Sequence, residues 1–262
     1  MSVYSGPNPT DSGLVLSLDV GNFKNYPNTG ITLTASVSDT IFTINNSSYI
    51  RNTGNGVIQI TRANTANNFK AGGGIHNTAA TGVLTAPNFL YNNHTWEVWF
   101  KLDSTFAGNN GANSNTEGDN ALVVYDGYHA GYMFSSSRMI YMIWNAASSG
   151  NTCASWTVGT SGAQINGNTW YQIAVTRTGN TFTPYINGAQ TGTGSTQANL
   201  TSSGIGTNNR INIGKAYVAT DNTSVYVYYS NTSFSNMKMY NRALSSTEIQ
   251  QNFNALRGRF GI

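Results

Sequence analysis

Short stretches in which apolar and polar residues alternate recur along the whole chain of 262 residues. In the stretch LVLSLDV (14–20), Leu14, Leu16 and Leu18 would share one face of a strand, because successive strand side chains point to opposite faces. The same alternation recurs in residues 40–44, 57–62, 95–102, 121–125, 139–144, 170–177, 181–186, 210–214, 224–230 and 236–240. Short strands separated by Gly, Asn and Ser turns predict an all-β chain with two packed antiparallel sheets.

A hairpin is predicted at Asn187-Gly188, directly after the alternating stretch 181–186. Both residues tolerate a positive φ, which a two-residue turn of type I′ requires. Pro184 lies inside the first arm and cannot donate a backbone hydrogen bond, so this strand should lie at or near a sheet edge. Residues 106–120 show no periodicity and predict an exposed loop.

One segment near the end of the chain predicts a short helix. Ser245 precedes Glu248 by three positions, which is the spacing of a capping box. In this motif the serine side chain accepts a hydrogen bond from the glutamate N–H, and the glutamate side chain reaches back. Leu244 and Ile249 flank this start and would form a hydrophobic staple.

The predicted helix has one apolar stripe. Ile249, Phe253 and Leu256 are spaced at i, i+4 and i+7, so this face should pack against the sheets. Gly258 is the predicted end of the helix, and Arg257 would then lie near its negative C-terminal dipole.

The composition favours a folded chain and argues against a nucleic-acid partner. Hydrophobic residues make up 39% and aromatic residues 12% of the sequence, which is enough to form a core. Charged residues are only 9%, with 13 Lys and Arg against 10 Asp and Glu. Phosphate binding needs clustered cations, so we expect no DNA or RNA partner.

No export signal or membrane span is predicted. The first residues, MSVYSGPNPTDSG, contain neither a basic region nor an apolar run. No later run approaches the roughly 20 apolar residues that a spanning helix needs. The single cysteine, Cys153, excludes an intrachain disulfide and fits a reducing compartment. We therefore expect synthesis in the cytoplasm without a signal peptide and no membrane partner.

Two segments of the chain contain strands with a tryptophan, and the second segment continues into an Asn-Gly turn. They are HTWEVWFKLDST (94–105) and NTWYQIAVTRTGNTFTPYINGAQTGT (168–193). Their tryptophan strands and "y-v-N-G" turn resemble those of the laminin-G-like, or concanavalin A-like, jelly-roll domains. The segment from Met239 to Ile249 is similar to that family's last strand and helix. The resemblance implies a two-sheet antiparallel jelly-roll sandwich (concanavalin A-like lectin/glucanase fold) with one short C-terminal helix. It would form a single domain over residues 1–262, with an N-terminal arm (1–13) and a C-terminal tail (257–262).

A second resemblance involves the two ends of the sequence, GLVLSLDVGNFKNYP (13–27) and YNRALSSTEIQQNFNALRGRFGI (240–262). These segments are similar to virion structural proteins of tailed phages. Residues 32–50 depart from it, because stretches usual in those relatives are absent there. The resemblance implies a non-enzymatic capsid decoration or appendage (fibre or tail) subunit, made in the host cytoplasm and located on the virion. Its implied partners are major capsid or tail proteins and other copies of itself, with Arg257, Arg259 and Phe260 as candidate assembly contacts.

An enzyme of this fold would need a pair of carboxylates on one strand face. The strand WEVWF offers Glu97 alone, so we expect no enzymatic activity. As the only carboxylate of that strand, Glu97 is predicted to face solvent beside a cross-strand Lys or Arg.

No cofactor is predicted, and calcium is the one metal that the sequence leaves open. The histidines His76, His94 and His129 lack the spacing of a zinc site. Oxygen-bearing side chains alternate in the segment 113–119, where calcium would take Asn113, Asn115, Glu117 and Asp119 as ligands. The alternative is a polar loop whose amides satisfy its own turns.

The aromatic cluster YDGYHAGYMF (125–134) supports an alternative function, a carbohydrate-binding module that attaches to cell-surface glycans. Sugar rings stack on aromatic side chains while polar groups bind their hydroxyls. The candidate glycan contacts are Tyr125, Tyr128, His129 and Tyr132. The competing interpretation places these side chains in the sandwich or against a neighbouring subunit.

Overall fold

The structure is a computed structural model that describes most of the chain between residues 7 and 262. The described residues are 7–38, 40–45, 47, 50–61, 74–77, 84–102, 120–125, 130–135, 138–145, 152–158, 165–191, 195–196, 210–219, 225–229 and 232–262. Within them no helix is long and apolar enough to span a bilayer.

The strands of the first half of the chain are short except for the tryptophan strand. They are β1 (Leu14–Asp19), β2 (Thr32–Thr34), β3 (Ile41–Asn45), β4 (Ile50–Asn52), β5 (Ile58–Ile60), β6 (Gly74–Asn77), β7 (His94–Leu102) and β8 (Asn120–Tyr125). A short helix, α1 (Ala86–Leu90), precedes β7.

The second half adds eleven strands and the C-terminal helix. The strands are β9 (Ala130–Ser135), β10 (Arg138–Asn145), β11 (Thr152–Val158), β12 (Trp170–Thr178), β13 (Thr181–Ile186), β14 (Ala189–Gln190), β15 (Ser195–Thr196), β16 (Ile211–Ile213), β17 (Lys215–Ala219), β18 (Val225–Tyr229) and β19 (Thr232–Tyr240). The helix is α2 (Ser246–Phe260).

The strands form two large antiparallel sheets packed as a sandwich. Sheet A has the order β14-β13-β12-β7-β19-β5-β4, with β1 beside β19 and β15 beside β13. Sheet B has the order β11-β10-β9-β8-β16-β6-β3-β2, and β17 pairs with β18 separately. The predicted fold class, an all-β two-sheet sandwich with one C-terminal helix, is confirmed. All eleven predicted strands are present, but short strands such as β2 and β4, the longer strands β9 and β11 and the helix α1 were not among them.

The main core lies between the two sheets. On β7 of sheet A, Trp96, Val98 and Phe100 are fully buried in this core. Sheet B contributes side chains such as Phe42 and Ile213, which are also fully buried. Because the alternate residues of β7 point away from this core, the sheet has a second face that needs its own cover.

Helix α2 covers that second face. Ser245 caps it with the predicted capping box, because its side chain accepts from the Glu248 N–H and the Glu248 carboxylate accepts from the Ser245 N–H. Leu244 and Ile249 lie in one small apolar cluster with Tyr240, so the predicted staple is confirmed. The helix therefore starts where the sequence predicts.

The predicted end of the helix was wrong by one turn. Gly258 lies inside α2, and the left-handed residue that ends it is Gly261, with φ of 71°. A glycine inside a helix costs only about 1 kcal/mol relative to alanine. The extra turn brings the Phe260 ring against Trp99 and Trp170, at centroid distances of 4.5 Å and 4.4 Å. These contacts offset the cost of the glycine.

The predicted hairpin is confirmed and supports the helix. Asn187 and Gly188 have φ of 50° and 78° and join β13 to β14. A Cβ at Gly188 would lie 3.0 Å from the Cβ of Phe253 and 2.9 Å from the Gln250 side chain. Glycine is therefore required here both by the turn and by the close approach of α2.

Candidate functional site

The described residues of the N-terminal arm contact helix α2. Gln251 of α2 donates a hydrogen bond to the carbonyl of Asn8 at 2.6 Å. The backbone N–H of Thr10 donates to Oδ1 of Asn252 at 2.8 Å. Residues 8–12 therefore lie along α2, and they close one side of a cavity.

We call this space, of about 530 Å³, the arm cavity. It lies above the outer face of sheet A, between the arm, β1 and its following turn, β19 and α2. Its lining consists of Pro9, Asp11, Leu14, Ser17, Asp19, Asn22, Asn25, Ser36, Val37, Asn236, Lys238 and Leu256.

Lys238 lies at the floor of the arm cavity. The register of sheet A places it opposite Ser17 of β1 and opposite Glu97 of β7. The residue is only 6% exposed. Burial lowers the pKa of its ammonium, while the charges of Glu97, Asp11 and Asp19 act in the opposite direction. Its charge is thus balanced by nearby carboxylates.

The Lys238 ammonium retains hydrogen-bonding capacity. Within the described part of the chain it makes no hydrogen bond and no ion pair, although an ammonium carries three donor hydrogens. Because Lys238 lines the cavity, a ligand oxygen there can accept a hydrogen bond from the ammonium in place of water.

Asp19 forms the second fixed charge of the cavity. Arg259 donates to its Oδ1 at 2.7 Å, and the Gly21 N–H donates to the same oxygen at 2.8 Å. The second Arg259 terminal nitrogen donates to the carbonyl of Gly56 at 2.7 Å. The last turn of α2 therefore holds the Asp19 carboxylate in place at the cavity wall.

Amide side chains provide further polar groups in the wall. Asn25 and Asn236 are each 2% exposed and line the cavity. The Asn25 side-chain oxygen accepts from the Asp19 N–H at 3.1 Å, which leaves its amide nitrogen as a donor. The cavity thus combines charged and uncharged donors and acceptors over a small volume.

Glu97 lies beneath α2 beside the cavity, so the prediction that it faces solvent was wrong. It is 2% exposed, and the Asn252 side-chain nitrogen donates to its two oxygens at 2.9 Å and 3.1 Å. The same nitrogen lies 3.0 Å from the Tyr240 hydroxyl. Burial raises the pKa of Glu97 to about 7, while Lys238 and Asn252 oppose the rise. The expected cross-strand lysine is present as Lys238.

Of the four predicted glycan contacts, Tyr125 has to be corrected. It is 1% exposed, its hydroxyl donates to the Leu84 carbonyl at 2.8 Å, and its ring packs edge-on to Trp96. It therefore belongs to the core and not to a rim. The backbone of Tyr132 lies in β9, and Tyr128 and His129 lie outside the described residues.

The predicted assembly contacts of the tail are also used within the chain. Arg259 binds Asp19, and Phe260 packs between Trp99 and Trp170. These two side chains therefore make contacts within the fold, and their role as assembly contacts stays a prediction. Arg257 is exposed, with its guanidinium 5.9 Å from the Phe253 ring centroid.

The predicted calcium ligands, Asn113, Asn115, Glu117 and Asp119, lie outside the described residues. In the part that the structure describes, no group of three or more His, Cys, Asp or Glu side chains could hold a metal. His94 is fully buried, and burial lowers its pKa to about 3.

A smaller cavity of about 260 Å³ lies near α1, lined by Asn88, Phe89, Asn92, Asn93 and Asn241. Several of its polar groups are already used. Asn92 donates to the Asn88 carbonyl at 2.7 Å, and Asn93 accepts from the Gly179 N–H at 2.8 Å. The arm cavity is the better candidate because it has the larger volume and a charged donor without a partner.

Sequence reasoning did not select Lys238, Asp19 or Asn25. A weak signal existed for Lys238, because it alternates with Met237 and Met239 in a stretch whose apolar residues face the core. The sequence does not show that α2 and the arm would enclose the opposite face.

A search of curated proteins found no match to this sequence. Solved structures share its fold. The binding domain of botulinum neurotoxin DC in complex with rat synaptotagmin II superposes with a TM-score of 0.63 at 14% identity, over 93% of this chain and 52% of that one. Botulinum neurotoxin type C, whose cell entry depends on interaction with two ganglioside molecules, is a second example. Its structure superposes with a TM-score of 0.62 at 15% identity, over 93% of this chain and 51% of that one.

An enzyme also shares the fold. A Trypanosoma rangeli sialidase in complex with 2,3-difluorosialic acid superposes with a TM-score of 0.59 at 15% identity, over 98% of this chain and 35% of that one. The chain thus spans about half of the toxin binding domains and about a third of the sialidase. A family model, described as the concanavalin A-like lectin/glucanases superfamily, matches residues 72–250, well over half of the chain. The chain therefore belongs to the concanavalin A-like lectin/glucanase superfamily.

Proposed function

We propose that this protein is a non-catalytic carbohydrate-binding module and that the arm cavity holds its glycan. The observation that carries the proposal is Lys238, a largely buried residue whose ammonium lines a cavity of about 530 Å³ and has no hydrogen-bond partner among the described residues. This volume lies in the range of small-ligand pockets, which is about 300 to 1,000 Å³.

The lining has the chemistry that a saccharide needs. Sugar hydroxyls both donate and accept hydrogen bonds, so they can accept from Lys238 and donate to the carboxylates of Asp11 and Asp19. Aliphatic side chains such as Leu14 and Leu256 form other parts of the wall. These would contact the apolar C–H groups of a sugar ring.

The proposal excludes catalysis by Glu97. A pKa of about 7 would suit a general acid at neutral pH. However, the Asn252 side chain and the Tyr240 hydroxyl enclose this carboxyl under α2. A general acid must lie within hydrogen-bond reach of its substrate, and no glycosidic oxygen can approach Glu97 in this arrangement.

The structural relatives support a binding role without assigning a ligand. One relative depends on two gangliosides for cell entry, and another holds a sialic acid derivative. At 14–15% identity, with about half or a third of each relative's chain covered, the likeness shows the shared fold alone. The place and the chemistry of such a site in this chain rest on its own residues.

We also propose a setting for the module, on the surface of a phage particle. This part rests on the resemblance of residues 13–27 and 240–262 to virion proteins. Arg259 and Phe260 also make contacts within the fold, so exposed Arg257 is the candidate of the tail that is most available to capsid or tail proteins. Co-purification with infectious particles from a host lysate would support this setting, and a fraction found only free of particles would overturn it.

The glycan proposal is tested by blocking the arm cavity. The wild-type protein would be screened on a glycan array, and its hits measured by titration calorimetry. Val37 lines the cavity and is 46% exposed, so Val37→Trp should reduce affinity at least tenfold without unfolding the chain. Ile41→Trp is the matched control, because Ile41 is 52% exposed and is not part of the lining. A blank array, or equal affinity of wild type and Val37→Trp, would overturn the proposal.

A further inference from the structure

We infer that the arm cavity selects uncharged saccharides over acidic ones, with Lys238 as the donor that anchors a sugar hydroxyl. This inference rests on the proposed glycan-binding function and adds the class of sugar. It concerns specificity, because the charges around the cavity should give neutral and carboxylated sugars different affinities.

The fixed charges of the site already balance without a ligand. Three carboxyl groups interact electrostatically with the Lys238 ammonium. They belong to Asp11 of the arm, Asp19 of β1 and Glu97 of β7. Arg259 is the second cation, and it is bound to Asp19. The two cations are therefore matched or exceeded by carboxylates. An acidic sugar would bring a further negative charge into a partly closed cavity, where like charges repel most strongly.

Two cations lie near the cavity, Arg259 and Lys238, and both already interact with groups of the protein. Both terminal nitrogens of Arg259 already donate hydrogen bonds, one to Asp19 and one to the Gly56 carbonyl, each at 2.7 Å. The fork formed by these two nitrogens is therefore not free to bind a sugar carboxylate. Lys238 remains, and Asp11, Asp19 and Glu97 partly neutralise its positive potential.

A neutral sugar fits the same groups without conflict. The Lys238 ammonium donates to a hydroxyl oxygen, and a neighbouring hydroxyl donates to a cavity carboxylate. The Asn25 amide nitrogen, whose partner oxygen is held by the Asp19 N–H, can donate to another hydroxyl. A neutral sugar adds no charge to these groups, whereas the carboxylate of an acidic sugar would share the small cavity with Asp11 and Asp19.

The residues that carry this specificity are placed by regular structure. Lys238 is held between β1 and β7 by pairing with Ser17 and Glu97. Asp19 is the last residue of β1, and Arg259 fixes its carboxylate. Because these positions are preorganised, the difference between neutral and acidic sugars should appear in affinity directly.

The test uses matched pairs of oligosaccharides that differ only at C6. Gluco-, galacto- and manno-configured ligands would be compared with the corresponding uronates, in which a carboxylate replaces the CH₂OH group. The full chain should bind its preferred neutral ligand at least tenfold more tightly than the matching uronate. Raising the ionic strength should narrow this gap, because salt screens the repulsion.

Two variants separate the roles of the charges. Asp11→Asn removes a negative charge at an exposed position, so uronate affinity should rise relative to that of the neutral sugar. Lys238→Met keeps the length of the side chain and should reduce neutral-sugar affinity at least tenfold. Thermal unfolding would confirm that both variants are folded. If Lys238→Met were not folded, Asp11→Asn alone would still decide the specificity.

The outcomes distinguish this inference from the proposed function. Tighter binding of a uronate than of its neutral counterpart in the arm cavity would overturn the inference and leave the glycan-binding proposal standing. Neutral-sugar binding unaffected by a folded Lys238→Met would also overturn it. Absence of binding to every saccharide would overturn the proposed function and the inference together.

Discussion

The inner and outer faces of sheet A use alternate residues of the same strands. On β7, Trp96, Val98 and Phe100 point into the core, where the opposite sheet covers them. Glu97 and Trp99 point outward, where α2 covers them. Both faces are buried, but the inner face is apolar and the outer face combines aromatic rings with a polar cluster.

This difference separates two tasks within one sheet. The inner face removes apolar surface from water, which is the main source of folding stability. On the outer face, the Asn252 side chain joins Glu97 to the arm through the Thr10 N–H. The polar cluster therefore holds the arm and helix in one arrangement, and this arrangement forms the arm cavity. The inner face of sheet A thus provides most of the folding stability, and the outer face carries the candidate binding site.

The largest expected effect is on the inner face. Phe100→Ala removes a fully buried ring that stacks on Tyr171 at 6.0 Å. We expect a loss of about 4 kcal/mol in the free energy of unfolding, because the rigid sandwich leaves a cavity. Chemical denaturation measures it, with Phe23→Ala as the control, since Phe23 is 71% exposed. A loss below 1 kcal/mol would show that the two sheets do not pack tightly there.

The next effect tests the outer face. Phe253 is 7% exposed and stacks on Trp99 at 5.7 Å with an interplanar angle of 5°. Phe253→Ala should cost about 3 kcal/mol. It should also release the arm to proteolysis, because α2 carries the arm's partners Gln251 and Asn252.

The matched control on the same helix is Gln250→Ala, since Gln250 is exposed. It should change stability by less than about 0.5 kcal/mol. An unchanged melting temperature for Phe253→Ala would mean that α2 contributes little to the fold. The contrast between the two faces would then be lost.

Local patterns of the sequence predicted the inner face well. The alternation in β7, β12 and β19 follows directly from strand geometry, and the Ser245–Glu248 spacing correctly placed the start of α2. Short strands such as β2, with only the residues TLT, were missed because three residues carry too little periodicity.

The outer face was not predictable from such patterns. Alternation correctly placed Glu97 on the face of β7 that points away from the core. A residue on such a face is normally exposed to solvent, and Glu97 is not. Its burial depends on where a helix more than 140 residues later packs, which is a tertiary property. The same reason explains Gly258, because the contacts of Phe260 with Trp99 and Trp170 outweigh the local preference for ending the helix.

The pH dependence of stability distinguishes the polar cluster from the apolar core. The pKa of Glu97 rises from 4.5 to about 7 on folding. Between these values the folded chain holds a proton that the unfolded chain has released. The contribution of Glu97 to stability should therefore fall as pH rises from about 4.5 to about 7, by roughly 1–3 kcal/mol.

Glu97→Gln isolates this contribution. His94 acts in the opposite direction, since its pKa is lowered to about 3 and its contribution rises with pH up to about 6.5. The informative quantity is thus the difference in unfolding free energy between wild type and variant, measured at several pH values. This difference should decrease across the stated range. A flat difference would show that Glu97 is ionised throughout and that the cluster is a permanent ion pair.

The smallest expected effect concerns the start of α2, which is local to the helix. Ser245→Ala removes the side chain that accepts from the Glu248 N–H at 3.3 Å, and it should cost about 1 kcal/mol. Ser246→Ala is the matched control, because Ser246 is exposed and follows the cap, so its effect should stay within about 0.5 kcal/mol. Leu244 and Ile249 would still anchor the helix in their apolar cluster, so the arm should remain protected from proteolysis in Ser245→Ala. A loss as large as that of Phe253→Ala would mean that the cap, and not the outer face of sheet A, determines whether α2 and the arm close the cavity.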